Sequence, residues 1–251
     1  MKPYYEADGI TIYHADCRDL MATMPDESVD LVVTSPPYNM GATPGGNGRG
    51  LYRHSTQKAN RFGDGYEASA DDLDPDDYNA FLRDTLHEMW RVARLGVFWN
   101  HRPRIIHGVW TEPLGGDFGI PLRQRIVWAR PTGIDVSLRH YCTRAEHIYL
   151  FAKDALRLVD HAASGMGDVW AMPMAPKSDH PAPFPTELPM RAIRSVADVR
   201  SVFDPFMGSG TTLRAAYDLG LRAIGCDTSA AYCDMAIARL GQQVLDLGGA
   251  A

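Results

Sequence analysis

Short apolar runs recur along the chain and are separated by longer segments with a helical pattern. The runs are typical of buried strands, and they lie at 31–33, 96–100, 126–128, 147–151, 202–203 and 222–226. Between Pro75 and Arg94, apolar residues form one helical face, and Asp74 is placed to cap this helix. Helical patterns also cover 212–219 and Ala230–Leu240. Strands that alternate with helices predict an α/β fold with a mostly parallel sheet and helices on both faces.

Two stretches lack both patterns. Residues 41–73 are rich in Gly, Asn, Asp and Arg. We expect a long mobile loop with a function there, because unstructured loops of this length are uncommon in compact domains. Residues 160–189 contain many Pro, Met and small residues and predict an irregular connection. With 251 residues, the chain is expected to form a single domain over 1–251.

The composition is ordinary for a soluble globular protein, with 45% apolar and 22% charged residues. No apolar run approaches the ~20 residues that span a bilayer, and the N-terminus lacks the features of a secretory signal. The four cysteines show no Cys-x-x-Cys spacing, and no His, Cys or Asp cluster has the spacing of metal ligands. We therefore predict a cytoplasmic protein without a membrane segment or a metal.

The net charge of −6 argues against broad, non-specific binding to nucleic acid, but the charges are segregated. Residues 64–77 carry only acidic charges. All charged residues within 41–63 are basic, namely Arg49, Arg53, Lys58 and Arg61. A second basic cluster comprises Arg123, Arg125, Arg130, Arg139 and Arg144. Each cluster is either a solvated loop or a set of phosphate contacts beside an active site.

A glycine-containing turn between two predicted strands indicates a nucleotide-binding site. The first strand ends at Asp204, and Gly208 and Gly210 allow a tight bend with close approach to a ligand. The following helix presents backbone amides, and the second strand ends at Asp227, whose carboxylate suits ribose hydroxyls. Leu213 stands where dinucleotide-binding folds have a third glycine, which disfavours a dehydrogenase. The candidate cofactor-binding residues of this segment are Asp204, Phe206, Gly208, Ser209, Gly210, Thr211, Thr212 and Asp227.

The loop Ser35-Pro36-Pro37-Tyr38 follows the first apolar run and suits a flat ligand with an amino group. Two prolines fix the backbone and remove two amide donors, so the neighbouring carbonyls can accept hydrogen bonds at a rigid place. Ser35 adds a hydroxyl oxygen, and Tyr38 adds an aromatic face. A base flipped out of a nucleic-acid duplex has this shape and chemistry. Alone, the loop also fits a strand-ending turn with a packed tyrosine.

Together, the loops at 34–39 and 204–212 resemble those of the DNA methyltransferases that modify exocyclic amino groups of bases. The resemblance extends over most of the chain. The catalytic loop precedes the cofactor loop, an order that resembles the β class of this family. The resemblance implies a circularly permuted Rossmann-like fold, S-adenosyl-L-methionine as the cofactor and double-stranded DNA as the partner.

The resemblance also implies cofactor contacts outside the glycine turn. His180, Pro181 and Phe184 match an additional cofactor-binding motif that the family places against the methionine part of the cofactor. Asp16, followed by Cys17, matches a segment in which an acidic residue ends a strand and binds the adenine amino group of the cofactor. We therefore expect these five residues to lie beside the glycine turn.

The resemblance implies a catalytic role for Ser35, Pro36, Pro37 and Tyr38. The target amine would donate hydrogen bonds to Ser35 and to a backbone carbonyl near Pro36, and would attack the methyl group directly. In the family, Ser-Pro-Pro-Tyr is associated mainly with cytosine N4 and Asp-Pro-Pro-Tyr mainly with adenine N6. Cytosine N4 is therefore favoured, and adenine N6 is the alternative. Methylation of cytosine carbon 5 is disfavoured, because no cysteine lies in a matching Pro-Cys loop.

Two further interpretations are an RNA amino-methyltransferase, which the motif order disfavours, and a non-catalytic S-adenosylmethionine-binding module, which the intact motifs disfavour. For DNA binding, we expect contacts from the loop at 41–73 and from a small target-recognition segment at 154–177. The lack of a large recognition domain favours a short target site or a homodimer. The resemblance also suggests a cognate restriction enzyme, or a phage or host DNA context, as the setting of the activity.

Overall fold

The computed structural model describes residues 1–39, 73–106, 108–132, 140–173 and 184–241. In these residues, nine strands form one sheet and two form a hairpin, β5 (Arg104–Ile106) and β6 (Val109–Thr111). The strands of the sheet are β1 (Tyr5–Ala7), β2 (Ile10–His14), β3 (Val29–Thr34), β4 (Ala93–His101), β7 (Leu122–Ala129), β8 (Ala145–Ala152), β9 (Val169–Ala171), β10 (Ser201–Asp204) and β11 (Arg222–Asp227). The α-helices are α1 (Cys17–Thr23), α2 (Pro75–Val92), α3 (His161–Gly165), α4 (Glu187–Arg194), α5 (Thr211–Asp218) and α6 (Ala230–Leu240), and a short 3-10 helix spans Pro113–Gly116.

The sheet is mostly parallel, with the strand order β1-β2-β11-β10-β3-β4-β8-β7-β9. Strands β2, β11, β10, β3 and β4 pair in parallel, whereas β1 and β8 run against their neighbours. From β10 the chain continues through α5 to β11, and from β3 it continues in the opposite direction to β4. The boundary between β10 and β3 is therefore a topological switch point, where ligands of open α/β sheets bind at the carboxyl ends of the strands.

Helices cover both faces of this sheet. On one face α1 and α2 pack against a core that includes Val32, and on the other α4, α5 and α6 pack against a core that includes Leu31 and Val33. Because successive strand side chains point to opposite faces, an uninterrupted apolar strand such as β3 supplies both cores. The predicted α/β architecture with helices on both faces is confirmed.

The predicted elements lie close to those observed. Each of the six apolar runs lies within a strand of the sheet, and the predicted helix after Asp74 is α2. The Asp74 carboxylate caps α2 by accepting a hydrogen bond of 3.0 Å from the Asp76 amide, and Pro75 occupies the first turn. Both strand ends predicted around the glycine turn are confirmed, since β10 ends at Asp204 and β11 ends at Asp227.

The prediction of an irregular connection over 160–189 is wrong in its described part. This part contains α3, the edge strand β9 and the start of α4. Strand β9 pairs in parallel with β7 and buries Trp170, whereas its other two residues are exposed. A strand of three residues is too short to show a period in the sequence. The predicted loop at 41–73 lies outside the described residues except for Leu73.

The helices that the structure describes include none that is long and apolar enough to cross a membrane.

Candidate active site

The ends of β3 and β10 are joined by a buried hydrogen bond. Thr34 Oγ1 donates to Asp204 Oδ1 over 2.6 Å, and the Phe206 amide donates to the same oxygen over 3.1 Å. Burial raises the pKa of Asp204 to about 6. Thr34 immediately precedes the Ser-Pro-Pro-Tyr loop, and Asp204 opens the glycine turn. The structure therefore brings the predicted catalytic and cofactor loops together at the switch point.

The glycine turn is shaped by close packing against α6. Gly210 has φ +77°, and a Cβ atom added there would lie 2.7 Å from Ala236 Cβ. Gly208 also has a positive φ, and its amide donates to Asp227 Oδ2 over 3.1 Å. The backbone conformation thus favours glycine at both positions, and Gly210 is also required by the lack of space for a side chain. Helix α5 begins at the next residue, Thr211, so its first amides face the turn.

Asp227 is held at the end of β11 with both carboxylate oxygens engaged. Its Oδ1 accepts a hydrogen bond of 2.8 Å from the Ser229 amide, and its Oδ2 accepts the Gly208 amide. Burial raises the pKa of Asp227 above its usual value. Each carboxylate oxygen can accept more than one hydrogen bond. Asp227 can therefore keep these amides and still accept hydroxyl donors from a ligand.

Asp16 lies beside Asp227 but is not the end of a strand. Strand β2 ends at His14, and the Ala15 amide donates to the Asp227 carbonyl over 3.0 Å. The Asp16 carboxylate caps α1, and Arg18 pairs with it at 2.7 Å, which lowers its pKa. The predicted end of the strand is thus two residues too late. Cys17 is buried, and burial raises the pKa of its thiol to about 12.

Several predicted cofactor-binding side chains point into the protein. Ser209, Thr211 and Thr212 are all buried, and Arg239 donates to Ser209 Oγ over 3.1 Å and to the Ser209 carbonyl over 2.7 Å. The side chains of Ser209, Thr211 and Thr212 are therefore turned away from a ligand that binds at the glycine turn. Phe206 is half-buried against Phe81, Phe184 packs on the edge of the core, and His180 and Pro181 lie outside the described residues.

The Ser-Pro-Pro-Tyr loop is connected to a polar network from β4 and β8. Ser35 Oγ donates to the Tyr38 hydroxyl over 3.0 Å, and the Tyr38 hydroxyl donates to Glu146 Oε2 over 3.1 Å. Asn100 Nδ2 donates to the Tyr38 oxygen over 3.0 Å and to Glu146 Oε2 over 3.1 Å. Burial, together with the nearby Glu146 carboxylate, raises the pKa of Tyr38 well above its usual value. Tyr38 therefore stays protonated and serves as the centre of this network.

The network is anchored by a basic residue and retains one unused acceptor. Arg130, the residue after β7, pairs with Glu146 Oε1 at 3.3 Å, and both side chains are largely buried. Asn100 Oδ1 is buried and has no hydrogen-bond partner among the residues described. An unsatisfied buried carbonyl is unfavourable, so this oxygen can accept a donor from a ligand.

The backbone of the loop is fixed from the opposite side. Tyr78 on α2 donates from its hydroxyl to the Pro37 carbonyl over 2.6 Å and lies 2.9 Å from His101 Nε2. Burial lowers the pKa of His101 to about 3, so its ring is neutral. Asn39, with φ +50°, exchanges two hydrogen bonds of 2.8 Å with the Leu73 backbone. The Tyr78 hydroxyl already uses one lone pair of the Pro37 carbonyl, so the carbonyls of Ser35 and Pro36 are the better candidates to bind an amine.

Asn100 and Glu146 were not predicted as site residues, and Arg130 was predicted only as a member of the second basic cluster. A signal was present for Asn100 and Arg130, which lie at or just after the carboxyl ends of predicted strands. Glu146 lies at the amino end of β8 and reaches the same edge of the sheet only because β8 runs antiparallel to β4. The structure places members of the second basic cluster at two opposite edges of the sheet. Arg130 and Arg144 lie at the site edge, with Arg144 Nε donating to the Arg130 carbonyl, whereas Arg123 binds carbonyls at the opposite edge. Arg139 and the predicted DNA-binding residues Arg49, Arg53, Lys58 and Arg61 lie outside the described residues.

The sequence of the chain matches the model of a known protein family. A model of the DNA methylase family, which covers N6 and N4 methyltransferases, matches residues 29–238. The matched region includes both loops and most of the sheet. The protein therefore belongs to this family and is a DNA methyltransferase, as the resemblance predicted.

Curated relatives align along most of the chain. The type II methyltransferase M.ScaI of Streptomyces caespitosus is 24% identical over 98% of this chain and 86% of its own length. The DNA adenine methyltransferase YhdJ of Escherichia coli (strain K12) is 26% identical over 92% of this chain and 82% of its own length. Relatives of this chain thus include an enzyme named for adenine.

Solved structures share the fold. The cytosine-N4-specific PvuII DNA methyltransferase has a TM-score of 0.73 and 17% identity, covering 96% of this chain and 90% of that one. The putative DNA modification methylase TTHA0409 of Thermus thermophilus, complexed with S-adenosyl-L-methionine, has a TM-score of 0.63 and 24% identity, covering 91% of this chain and 92% of that one. These likenesses confirm the methyltransferase fold.

In the part of the chain that the structure describes, no group of three or more His, Cys, Asp or Glu residues could hold a metal ion.

Proposed function

We propose that this DNA methyltransferase transfers a methyl group from S-adenosyl-L-methionine to cytosine N4 of a base flipped out of double-stranded DNA. The observation that carries the proposal is the position of Ser35. Ser35 directly follows Thr34 in the sequence, and the Thr34 hydroxyl is hydrogen-bonded to Asp204 of the glycine turn. This contact supports the proposal that Ser35 offers a neutral acceptor beside the cofactor loop, where an exocyclic amine would need it.

The glycine turn fits S-adenosyl-L-methionine. The close packing of Gly210 against α6 and the positive φ values of Gly208 and Gly210 hold the tight turn at the carboxyl end of β10, where a ligand would bind. Asp227 can bind the ribose hydroxyls, and Asp16 lies beside it through the Ala15–Asp227 hydrogen bond. The cofactor would supply an electrophilic methyl group on a sulfonium. The proposed contacts of His180, Pro181 and Phe184 with its methionine part follow from the resemblance alone.

In the proposed mechanism, the protein acts by alignment. Ser35 Oγ accepts one hydrogen of the amine, and the Ser35 or Pro36 carbonyl accepts the other. These bonds draw the nitrogen away from conjugation with the ring, so that its lone pair points at the methyl group. As the new nitrogen–carbon bond replaces the carbon–sulfur bond, one of the two amine protons would be lost to water. The Tyr38 ring supports the flat base. Correct orientation of reacting groups supplies roughly 7–11 kcal/mol of the barrier reduction in favourable cases.

Adenine N6 is the second candidate for the target. The relative named as an adenine methyltransferase favours it. The serine at position 35 favours cytosine, since a neutral acceptor suffices for its amine, and the cytosine-N4-specific structural neighbour has the same fold. Neither the RNA substrate nor the non-catalytic module is supported by a comparison.

The DNA contacts are proposed from charge and position. Arg49, Arg53, Lys58 and Arg61 would contact phosphates from the loop at 41–73, whose described end, Leu73, is bonded to Asn39 beside the catalytic loop. The segment at 154–177 would contribute to target recognition.

We also propose a homodimer, and either a cognate restriction enzyme or a phage or host DNA context as the setting of the activity. A monomer mass in light scattering at working concentration would contradict the homodimer.

Transfer of labelled methyl groups to nucleic acids tests the proposed substrate class. We expect incorporation into double-stranded DNA of mixed sequence that depends on S-adenosyl-L-methionine, and little incorporation into RNA of the same sequence. Labelled RNA with unlabelled DNA would overturn the proposal in favour of an RNA enzyme. Binding of the cofactor without transfer to either polymer would favour the non-catalytic module.

A further inference from the structure

We infer that Glu146 is a positioning residue that orients the Ser35 hydroxyl, through Tyr38, so that the Ser35 oxygen faces the target amine as an acceptor. This inference rests on the proposed function, and it applies to an amine on either base. The Glu146 carboxylate is not itself hydrogen-bonded to Ser35. It acts at a distance of two hydrogen bonds, through the chain Ser35–Tyr38–Glu146.

Glu146 sets the direction of the hydrogen bonds in this chain, that is, which group donates and which accepts. An ionised carboxylate has only acceptor capacity, and the ion pair with Arg130 at 3.3 Å holds Glu146 in place. The Tyr38 hydroxyl lies 3.1 Å from Glu146 Oε2 and has a single hydrogen. That hydrogen must therefore point at Glu146, and the Tyr38 oxygen can only accept from its other neighbours.

Asn100 reinforces the same direction. Its Nδ2 donates to both the Tyr38 oxygen and Glu146 Oε2. A reversed amide would place the Asn100 oxygen against the Glu146 carboxylate, which is unfavourable. The Tyr38 oxygen thus accepts from Asn100 and from Ser35 and donates to Glu146, which uses all the hydrogen-bonding capacity of a phenol.

These hydrogen bonds fix the orientation of the Ser35 hydroxyl. Its single hydrogen is committed to Tyr38 over 3.0 Å, so only its lone pairs are available to a ligand. The target amine needs acceptors for its hydrogens while its own lone pair attacks. If the chain ran in the opposite direction, Ser35 would offer a hydrogen to the nitrogen and compete for that lone pair. Glu146 therefore selects the productive orientation, and a chain of linked hydrogen bonds also strengthens each acceptor.

The test is a double-mutant cycle on the rate of methyl transfer at saturating cofactor and DNA. Glu146→Gln keeps the shape of the side chain but can donate as well as accept, so Ser35 loses its fixed orientation. We expect kcat to fall about tenfold to a hundredfold, with the Kd for S-adenosyl-L-methionine unchanged. Tyr38→Phe interrupts the chain, so adding Glu146→Gln to it should cause less than about a twofold further loss.

The matched control is Glu112→Gln. Glu112 is also a partly buried carboxylate that accepts a tyrosine hydroxyl, from Tyr149, and pairs with an arginine, Arg125 at 3.0 Å. It lies outside the Ser35–Tyr38–Glu146 chain, and we expect this variant to keep the wild-type kcat.

Three results would overturn the inference. An unchanged kcat in Glu146→Gln would remove the role of Glu146 and leave the proposed function intact. Losses that multiply in the double variant would show that Glu146 does not act through Tyr38. Lack of transfer by the wild-type protein to any DNA would overturn the proposed function, and the inference with it. Folding of each variant is checked by its thermal midpoint and by its Kd for the cofactor.

Discussion

Thr34 and Asp204 are 170 positions apart in sequence and share a buried hydrogen bond of 2.6 Å. This contact joins the strand that carries the catalytic loop to the strand that carries the cofactor loop. Because the connections leave β3 and β10 in opposite directions, no helix or loop of the described chain separates their carboxyl ends. The permuted order of the two motifs along the chain is thus compatible with one compact site.

Loss of this contact should affect both stability and cofactor binding. Thr34→Val keeps the shape of the side chain and leaves Asp204 Oδ1 with the Phe206 amide as its other donor. We expect a loss of about 1–3 kcal/mol in the free energy of unfolding and a weaker Kd for S-adenosyl-L-methionine. Denaturant unfolding and calorimetry measure the two quantities.

Thr85→Val is the matched control for this prediction. Thr85 is equally buried, and its hydroxyl bonds to the Phe81 carbonyl within α2, away from both loops. This variant should keep the wild-type Kd for the cofactor, whatever its effect on stability. Equal cofactor affinity in wild type and Thr34→Val would show that the contact is only structural.

The raised pKa of Asp204 predicts a dependence of stability on pH. Burial raises this pKa from 3.8 to about 6, so the folded protein holds the proton more tightly than the unfolded chain. The stabilisation from that proton is present below about pH 4 and is lost as pH rises through about 6. The unfolding free energy of the wild type minus that of Asp204→Asn should therefore fall as pH rises over this range, by roughly 3 kcal/mol at most.

Denaturant unfolding of both proteins between about pH 4.5 and 7.5, without cofactor, measures this difference. Other titrating groups contribute nearly equally to the two proteins and cancel. A difference that stays constant across the range, or rises with pH, would contradict the raised pKa.

Gly210→Ala should be more disruptive than the same change at another glycine with a similar backbone. At Gly210, φ is +77° and the new Cβ would lie 2.7 Å from Ala236 Cβ, whereas Gly220 has φ +69° and open space around it. Gly220→Ala should therefore cost only the backbone strain, about 1–2 kcal/mol.

At Gly210 the clash adds to that strain, and we expect a larger loss in the free energy of unfolding together with a loss of cofactor binding. Chemical denaturation and calorimetry of the two variants make the comparison. Equal destabilisation by the two substitutions would show that α6 yields readily and that packing does not shape the glycine turn.

The sequence alone predicted those structural features that depend on residues within a single segment. The ends of β10 and β11 and the cap of α2 were predicted from glycines, prolines and periodicity that are local to each element. Glu146 was not predicted, because its contact with Tyr38 joins residues 108 positions apart and depends on the antiparallel pairing of β4 with β8. The inward orientation of Ser209 was missed for a similar reason, since it depends on Arg239 in α6.

Ser35→Ala should separate binding from catalysis. The Ser35 hydroxyl donates to Tyr38, on the side of the loop that faces β4 and β8. We expect an unchanged Kd for S-adenosyl-L-methionine and a fall in kcat of about a hundredfold or more, since the variant loses an acceptor for the amine. Ser28→Ala, an exposed serine at the opposite end of β3, should keep the wild-type kcat. Full activity in Ser35→Ala would remove the proposed role.

The central claim, methylation of cytosine N4 through Ser35, is tested most directly by mass analysis of the nucleosides released from DNA that the wild-type protein has methylated. The duplex should contain all four bases in varied sequence, so that either amine can be modified. We predict N4-methylcytosine as the methylated nucleoside, with its amount greatly reduced for Ser35→Ala. N6-methyladenine without N4-methylcytosine would contradict the assignment of the target base.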